Sequence, residues 1–186
     1  MLYSNKLKNQ RVGELLQTPR VFNFSLDYNN GVNCVSGLID LCNKYVKSTD
    51  KVIEIGSFQG VSSRTIALHC QSLYCVDPWE WEGVLQSEEI FDSYLPYYPN
   101  IHKIKSRSVD AAKLFQNNSI DLIYIDGDHS YQSVTQDISI WINKVKKNGY
   151  ISGHDNYIDD VRMAVTDYFG DNYETFSDTS WIIQVL

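Results

Sequence analysis

Short apolar runs alternate along this chain with stretches whose apolar residues recur every three or four positions, from about residue 35 to the C-terminus. A short run bounded by turn residues reads as a strand covered on both faces, and the wider spacing reads as one face of a helix. Val35, Leu38, Ile39, Cys42 and Val46 predict a helix, and Lys51 to Ile55 a strand ended by Gly56. A helix from Val61 to Cys70 follows, then a strand from Leu73 to Val76 stopped at Asp77-Pro78. The pattern next predicts a helix over 83–95, a weak strand from Ile101 to Ile104, and a short helix from Ser108 to Phe115 capped by Ser108. Ile120 to Ile125 is the clearest strand. Val134, Ile138, Trp141 and Val145 then share one helical face, with Lys144, Lys146 and Lys147 expected in its last turn and Asn148-Gly149 closing it. A strand from Tyr150, a helix over 158–169 and two strands near 173–176 and 180–186 complete the chain.

This order predicts an α/β fold: a Rossmann-like, doubly wound, mostly parallel sheet with helices on both faces. No helical pattern separates the two closing strands, so they predict a hairpin at the sheet edge. Residues 1–32 are polar and aperiodic, and read as an N-terminal arm or lid before a single domain over 33–186.

Composition removes several function classes. The 16 basic against 23 acidic residues give a net charge of −7, which disfavours a non-specific nucleic-acid binder. No run approaches the roughly 20 apolar residues that cross a bilayer. Met1 to Lys8 has no apolar stretch behind its lysines, so no signal peptide is expected and a cytoplasmic location is. The four cysteines form no CxxC pair and read as small buried hydrophobes in a reducing compartment.

In sheets of this kind ligands bind beyond the carboxyl ends of the strands, so the residues after each strand carry the candidate chemistry. After the first strand stands Glu54-Ile55-Gly56-Ser57-Phe58-Gln59-Gly60-Val61-Ser62. Its glycines permit a tight turn close to a ligand, but it matches neither GxGxxG nor a P-loop. Asp77, after the second strand, suits the two hydroxyls of a ribose. Asp126-Gly127-Asp128-His129 and Gly153-His154-Asp155-Asn156 end two later strands. Facing each other, these oxygen-rich clusters suit a hard divalent cation such as Mg²⁺; the histidines also admit Mn²⁺, Zn²⁺ or Fe²⁺. The competing reading makes Asp126 and Asp155 helix caps.

The segment from Glu54 to Ser62 resembles motif I of the class I S-adenosylmethionine-dependent methyltransferases, above all the cation-dependent O-methyltransferases. Ile125 to Tyr131 and Gly149 to Asp155 are similar to the branch of macrolide-sugar O-methyltransferases and cephalosporin-type hydroxylases. The resemblance implies a seven-stranded sheet with an antiparallel last strand. It implies a cofactor site built by Glu54, Gly56, Ser57, Phe58, Gly60 and Ser62, with Asp77, Pro78 and Trp79 at the ribose. Ser106, Arg107 and Ser108 would line the adenine pocket, and Asp126 would also touch the cofactor. Asp126, Asp155 and Asn156 fall at the metal-ligand positions, with Mg²⁺ or Mn²⁺ expected. His154 stands where the sugar-modifying relatives carry a glutamate, and is expected around the ligands or as an occasional ligand, not as a base. Asp126 and His129 are the catalytic candidates, His129 as a base. The implied reaction is methyl transfer to a hydroxyl of a small acceptor, a sugar or a catechol-like diol. No nucleic acid or membrane partner is expected, and a homo-oligomer is left open. A cofactor-binding relative without turnover and a hydroxylase-like relative are the alternatives.

Overall fold

The computed structural model describes residues 35–80 and 86–186. The arm or lid over 1–32 and the first residues of the helix expected over 83–95 lie outside them. The helices are α1 (Ser36–Tyr45), α2 (Val61–Ala67), α3 (Ser87–Tyr94), α4 (Ser108–Ala111), α5 (Tyr131–Trp141) and α6 (Asp159–Phe169). The strands are β1 (Lys51–Ile55), β2 (Ser72–Asp77), β3 (Ile101–Lys105), β4 (Ile120–Ile125), β5 (Val145–Gly153), β6 (Glu174–Thr175) and β7 (Trp181–Gln184). They form one seven-stranded sheet in the order β3-β2-β1-β4-β5-β7-β6. Pairing is parallel from β3 through β5, and β7 runs antiparallel to both β5 and β6.

Strand alternation divides the core in two. Val52, Leu73, Cys75, Leu122 and Tyr124 face α1, α2 and α3. Ile53, Ile55, Val76, Ile123 and Ile125 face α4, α5 and α6. Both faces of β1 and β4 are therefore mainly apolar, with Glu54 the buried exception on β1, which is why these strands read as short apolar runs. Val134, Ile138 and Trp141 bring α5 down on the second face, each almost wholly buried, for about 1.5–3 kcal/mol per side chain. Cys42, Cys70 and Cys75 are free and buried, and burial pushes their thiols well up, so they pack rather than react.

Several local expectations give way to tertiary contacts. The helix behind β1 stops at Ala67, and α3 at Tyr94, where a 3₁₀ turn with Pro96 (Leu95–Tyr97) follows. The helix of Val134 ends at Trp141, with a 3₁₀ turn Ile142–Lys144 and then β5. Lys146 to Gly149 thus lie in a strand instead of closing a helix. The β4–β5 register shifts there; Lys146 pairs with Asp121 at 2.7 Å, and Asn148 N donates to Val185 O at 2.8 Å. Ser108 does not cap α4: Arg107 holds that position without a side-chain cap, and the Ser108 hydroxyl is drawn elsewhere.

Candidate cofactor and metal site

The turn leaving β1 is held by its neighbours. Gly56 N donates to Val76 O at 2.8 Å, and Gly60 N to Ser57 O at 2.7 Å. Gly56 has φ +88°, and a Cβ there would stand 2.1 Å from the carbonyl oxygen of Asp126. Only glycine allows the β1 and β4 exit loops to pass so closely. Phe58 is left-handed at φ +44°, and its N–H donates to Asp77 Oδ2 at 2.9 Å. Trp79 N donates to Asp77 Oδ1 at 2.6 Å, and the Trp79 indole to Phe58 O at 2.7 Å. Asp77 therefore clasps the turns after β1 and β2 together, and its carboxylate oxygens keep lone pairs for further donors.

Behind the turn Glu54 is fully buried and accepts from the Ser63 hydroxyl. Burial raises its carboxyl, against the opposing hydroxyls of Ser62 and Ser63. Ser57 lies beside it, also buried, and its hydroxyl lowers the carboxyl in the same sense. Arg64, absent from the sequence reading, is 3% exposed. Its Nε donates to Gly60 O at 2.9 Å, and its guanidinium lies 4.0 Å from the Tyr94 ring centroid. Beside Asp77, Ser106 N donates to Asp77 O at 3.1 Å, and Arg107 pairs with the exposed Glu80 at 2.8 Å. The Ser108 hydroxyl turns away from this rim toward α5.

The second half of the site lies at the ends of β4 and β5. Ligand atoms of Asp126, His154 and Asp155 lie within 4.8 Å of one another. Neither aspartate caps a helix: Ser130 caps α5, and Ile158 precedes α6. Asp155 is left-handed at φ +57°, an uncommon conformation outside glycine that here turns its carboxylate toward the histidines. His129 Nε2 lies 2.9 Å from Asp155 Oδ2 and 3.9 Å from Asp126 Oδ1; His154 Nδ1 lies 3.1 Å from Asp155 Oδ1. The charges of Asp126 and Asp155 carry His129 up to about 10, with Asp155 the partner at hydrogen-bond distance. Burial opposes protonation of His154, yet Asp155 and Asp126 still bring it to about 9. Burial would raise Asp155, but both imidazoles overcome it and hold that carboxyl well below its usual range.

His154 thus stands in the cluster itself, the nearer of the two places expected for it, around the ligands or as an occasional ligand. Its immediate neighbour Asp155 was the available signal. Asn156 Oδ1 is buried without a partner, as is His154 Nε2. The two carboxylates and the imidazole form a donor set that fits a hard or borderline divalent cation. The cluster opens on a small cavity that Val134, Val161 and Trp181 also line.

A family model described as a methyltransferase domain matches residues 53–156, more than half of the chain. The chain belongs to that family. Its matched segment runs from β1 to Asn156 and so contains both halves of the site. A Streptococcus mutans protein described as a methyltransferase, solved with S-adenosylhomocysteine, superposes with a TM-score of 0.62 at 11% identity, over 80% of this chain and 96% of that one. An rRNA methylase from Streptococcus thermophilus gives 0.60 at 11% identity, over 79% and 92%. These likenesses establish the fold, that of class I S-adenosylmethionine-dependent methyltransferases. Among curated proteins, uncharacterized protein R132 of Acanthamoeba polyphaga mimivirus is 33% identical over 124 residues, 61% of this chain and 55% of that protein. Uncharacterized protein y4gI of Sinorhizobium fredii is 22% identical over 136 residues, 65% of this chain and 15% of its own length. The chain therefore spans about half of one relative and a small part of the other. Among the described residues no helix is long and apolar enough to cross a membrane.

Proposed function

We propose that this methyltransferase domain transfers the methyl group of S-adenosylmethionine to a hydroxyl of a small neutral or cationic acceptor, with a divalent cation at Asp126, His154 and Asp155. The observation that carries this reading is the convergence of those three donors within 4.8 Å, one strand away from the clasped turns of Gly56 and Asp77. When bound, S-adenosylmethionine supplies an electrophilic methyl group, and a divalent cation supplies charge that lowers the pKa of a hydroxyl. Asp77 would accept from the ribose hydroxyls, and the Gly56 turn would let the backbone approach. Asp126, His154, Asp155 and the Asn156 amide oxygen would hold the cation. The same carboxylates keep His129 protonated. Once they face a cation instead, that cause is removed, and Nε2 is able to accept the acceptor's proton near neutral pH.

The acceptor class follows from charge. Asp128 precedes α5, and Asp160 and Asp167 of α6 meet Tyr131 at its start, at 3.3 and 3.0 Å. Of the acidic residues, Asp126 and Asp128 line the cleft, with Asp155 beside them, a setting that favours a neutral or positively charged acceptor over a polyanion. The donor set, carboxylate oxygens with imidazole nitrogen, suits Mn²⁺ and admits Mg²⁺.

Thermal unfolding with and without metal tests the reading. Saturating Mg²⁺ or Mn²⁺, at about a hundred times Kd, contributes about 2.7 kcal/mol, so Tm should rise by roughly 5–10 °C and fall back with chelator. Asp126→Ala and Asp155→Ala should each abolish the rise while S-adenosylhomocysteine still binds. Methyl transfer at full rate in excess chelator refutes the metal-assisted mechanism.

A further inference from the structure

On the face of the sheet away from Glu54, a buried carboxylate lies in the middle of α5. Asp137 is 6% exposed and occupies the apolar side of the helix between Val134 and Trp141. The Ser108 hydroxyl donates to Asp137 Oδ1 at 2.5 Å and accepts from the Trp141 indole N–H at 2.8 Å. The three groups form a chain in which every step has a donor and an acceptor. Asp137 has no cationic partner among the described residues; the charged group facing it is Asp128, of like sign. A buried carboxylate without a counter-ion is costly in a core position, and packing alone would be served by leucine. Its hydrogen-bond partner says what it does. Ser108 is the first residue of α4, directly after Ser106 and Arg107. Ser106 N is bonded to Asp77 O, beside the clasped turns. The bond from Ser108 to Asp137 therefore ties the wall at the end of β3 to the middle of α5.

We propose that Asp137 is a positioning residue for the cofactor pocket: by holding the Ser108 hydroxyl it fixes the 106–108 wall beside Asp77. This rests on the proposed use of that wall by S-adenosylmethionine. Asp137 itself touches no part of the cleft. It acts by restricting the wall to one conformation, so the cofactor does not have to order it on binding.

Calorimetry with S-adenosylhomocysteine, paired with urea unfolding of each protein, tests this. Asp137→Ala should weaken binding about tenfold, the loss of one charge-assisted hydrogen bond of about 1.4 kcal/mol. Asp137→Asn keeps an acceptor for Ser108 and should restore affinity to within about twofold of the wild type at pH 7.5. Amide exchange at Ser106, Arg107 and Ser108 should quicken in Asp137→Ala and not in Asp137→Asn; this readout stands even where Asp137→Ala is too unstable for calorimetry. Variants that lose stability yet bind as tightly as the wild type, with unchanged exchange at 106–108, leave Asp137 a structural tie and overturn the proposal. A folded wild type that binds no S-adenosylhomocysteine overturns the cofactor reading itself, a separate failure seen without any variant.

Discussion

Replacing Gly56 by alanine puts the strongest load on the site with the smallest chemical change. The added Cβ would stand 2.1 Å from Asp126 O, 2.5 Å from Asp126 C and 2.6 Å from Gly127 Cα. All three obstacles are backbone, and Asp126 N is itself bonded to Ile55 O at 2.8 Å. One loop must retreat by more than about 1 Å to reach ordinary contact distance. Holding alanine at φ +88° adds about 1–2 kcal/mol, and overpacking of this kind about 1–3 kcal/mol. The sum, about 2–5 kcal/mol, is a large part of a typical stability of 5–15 kcal/mol. Gly170 is the control: it has φ +69° but nothing within 4 Å of its Cβ position. With ψ −162° as well, Gly170→Ala should cost about 1–3 kcal/mol through the backbone alone. Urea unfolding followed by tryptophan fluorescence would rank the two, and S-adenosylhomocysteine calorimetry should show Gly56→Ala more than tenfold weakened. If Gly56→Ala loses no more stability than Gly170→Ala, the close passage of the β1 and β4 loops is not why glycine stands there.

Asp77→Ala should weaken S-adenosylhomocysteine binding by about 1–3 kcal/mol, because two backbone donors at Phe58 and Trp79 lose their acceptor along with any ribose contact; unchanged affinity by calorimetry would contradict it. Asp137 is pushed by burial from 3.8 up to about 6. A carboxyl raised on folding contributes stability fully below about pH 3.8 and loses it as pH rises through about 6. The unfolding free energy of Asp137→Asn should therefore gain on the wild type between about pH 4 and 6, by at most about 3 kcal/mol, and level off above about pH 7; a constant difference from about pH 4 to 7 would refute the assignment. Asp178, from the connection between β6 and β7, accepts from Leu38 N at 2.6 Å and Ser180 N at 3.0 Å. It supplies the acid that the first turn of α1 lacks. Asp178→Ala should cost about 2–4 kcal/mol in urea unfolding, with cofactor affinity per folded molecule unchanged.

Much of this protein was legible along the chain. Periodicity determined which residues form strands and helices, and the mainly apolar runs from Val52 to Ile55 and from Ile120 to Ile125 implied strands covered on both sides. It also put Gly56, Asp77, Asp126 and Asp155 at strand ends, where a parallel sheet exposes its loops. These are local properties: a side chain's face follows from the backbone period at its own position. Charge and motif spacing then narrowed the chemistry.

What the tertiary structure decided was every relation between distant segments. β1 pairs with β4 across the 64 residues from Gly56 to Ser119, and only that pairing brings the Gly56 turn against the Asp126 carbonyl. The β4–β5 pairing brings Asp155 to Asp126 and carries His154 into the cluster with them. Lys146 to Gly149 read locally as the end of a helix, yet pairing with Asp121 and Val185 draws them into the sheet. Ser108 read as a cap, yet a carboxylate 29 residues away takes its hydroxyl. Asp137 left a trace in the sequence, a charge on an apolar helical face, but its partner did not. Periodicity specifies which face of an element is buried; the partner on that face is set by contacts between residues far apart in the chain, and those exist only once the sheet has closed.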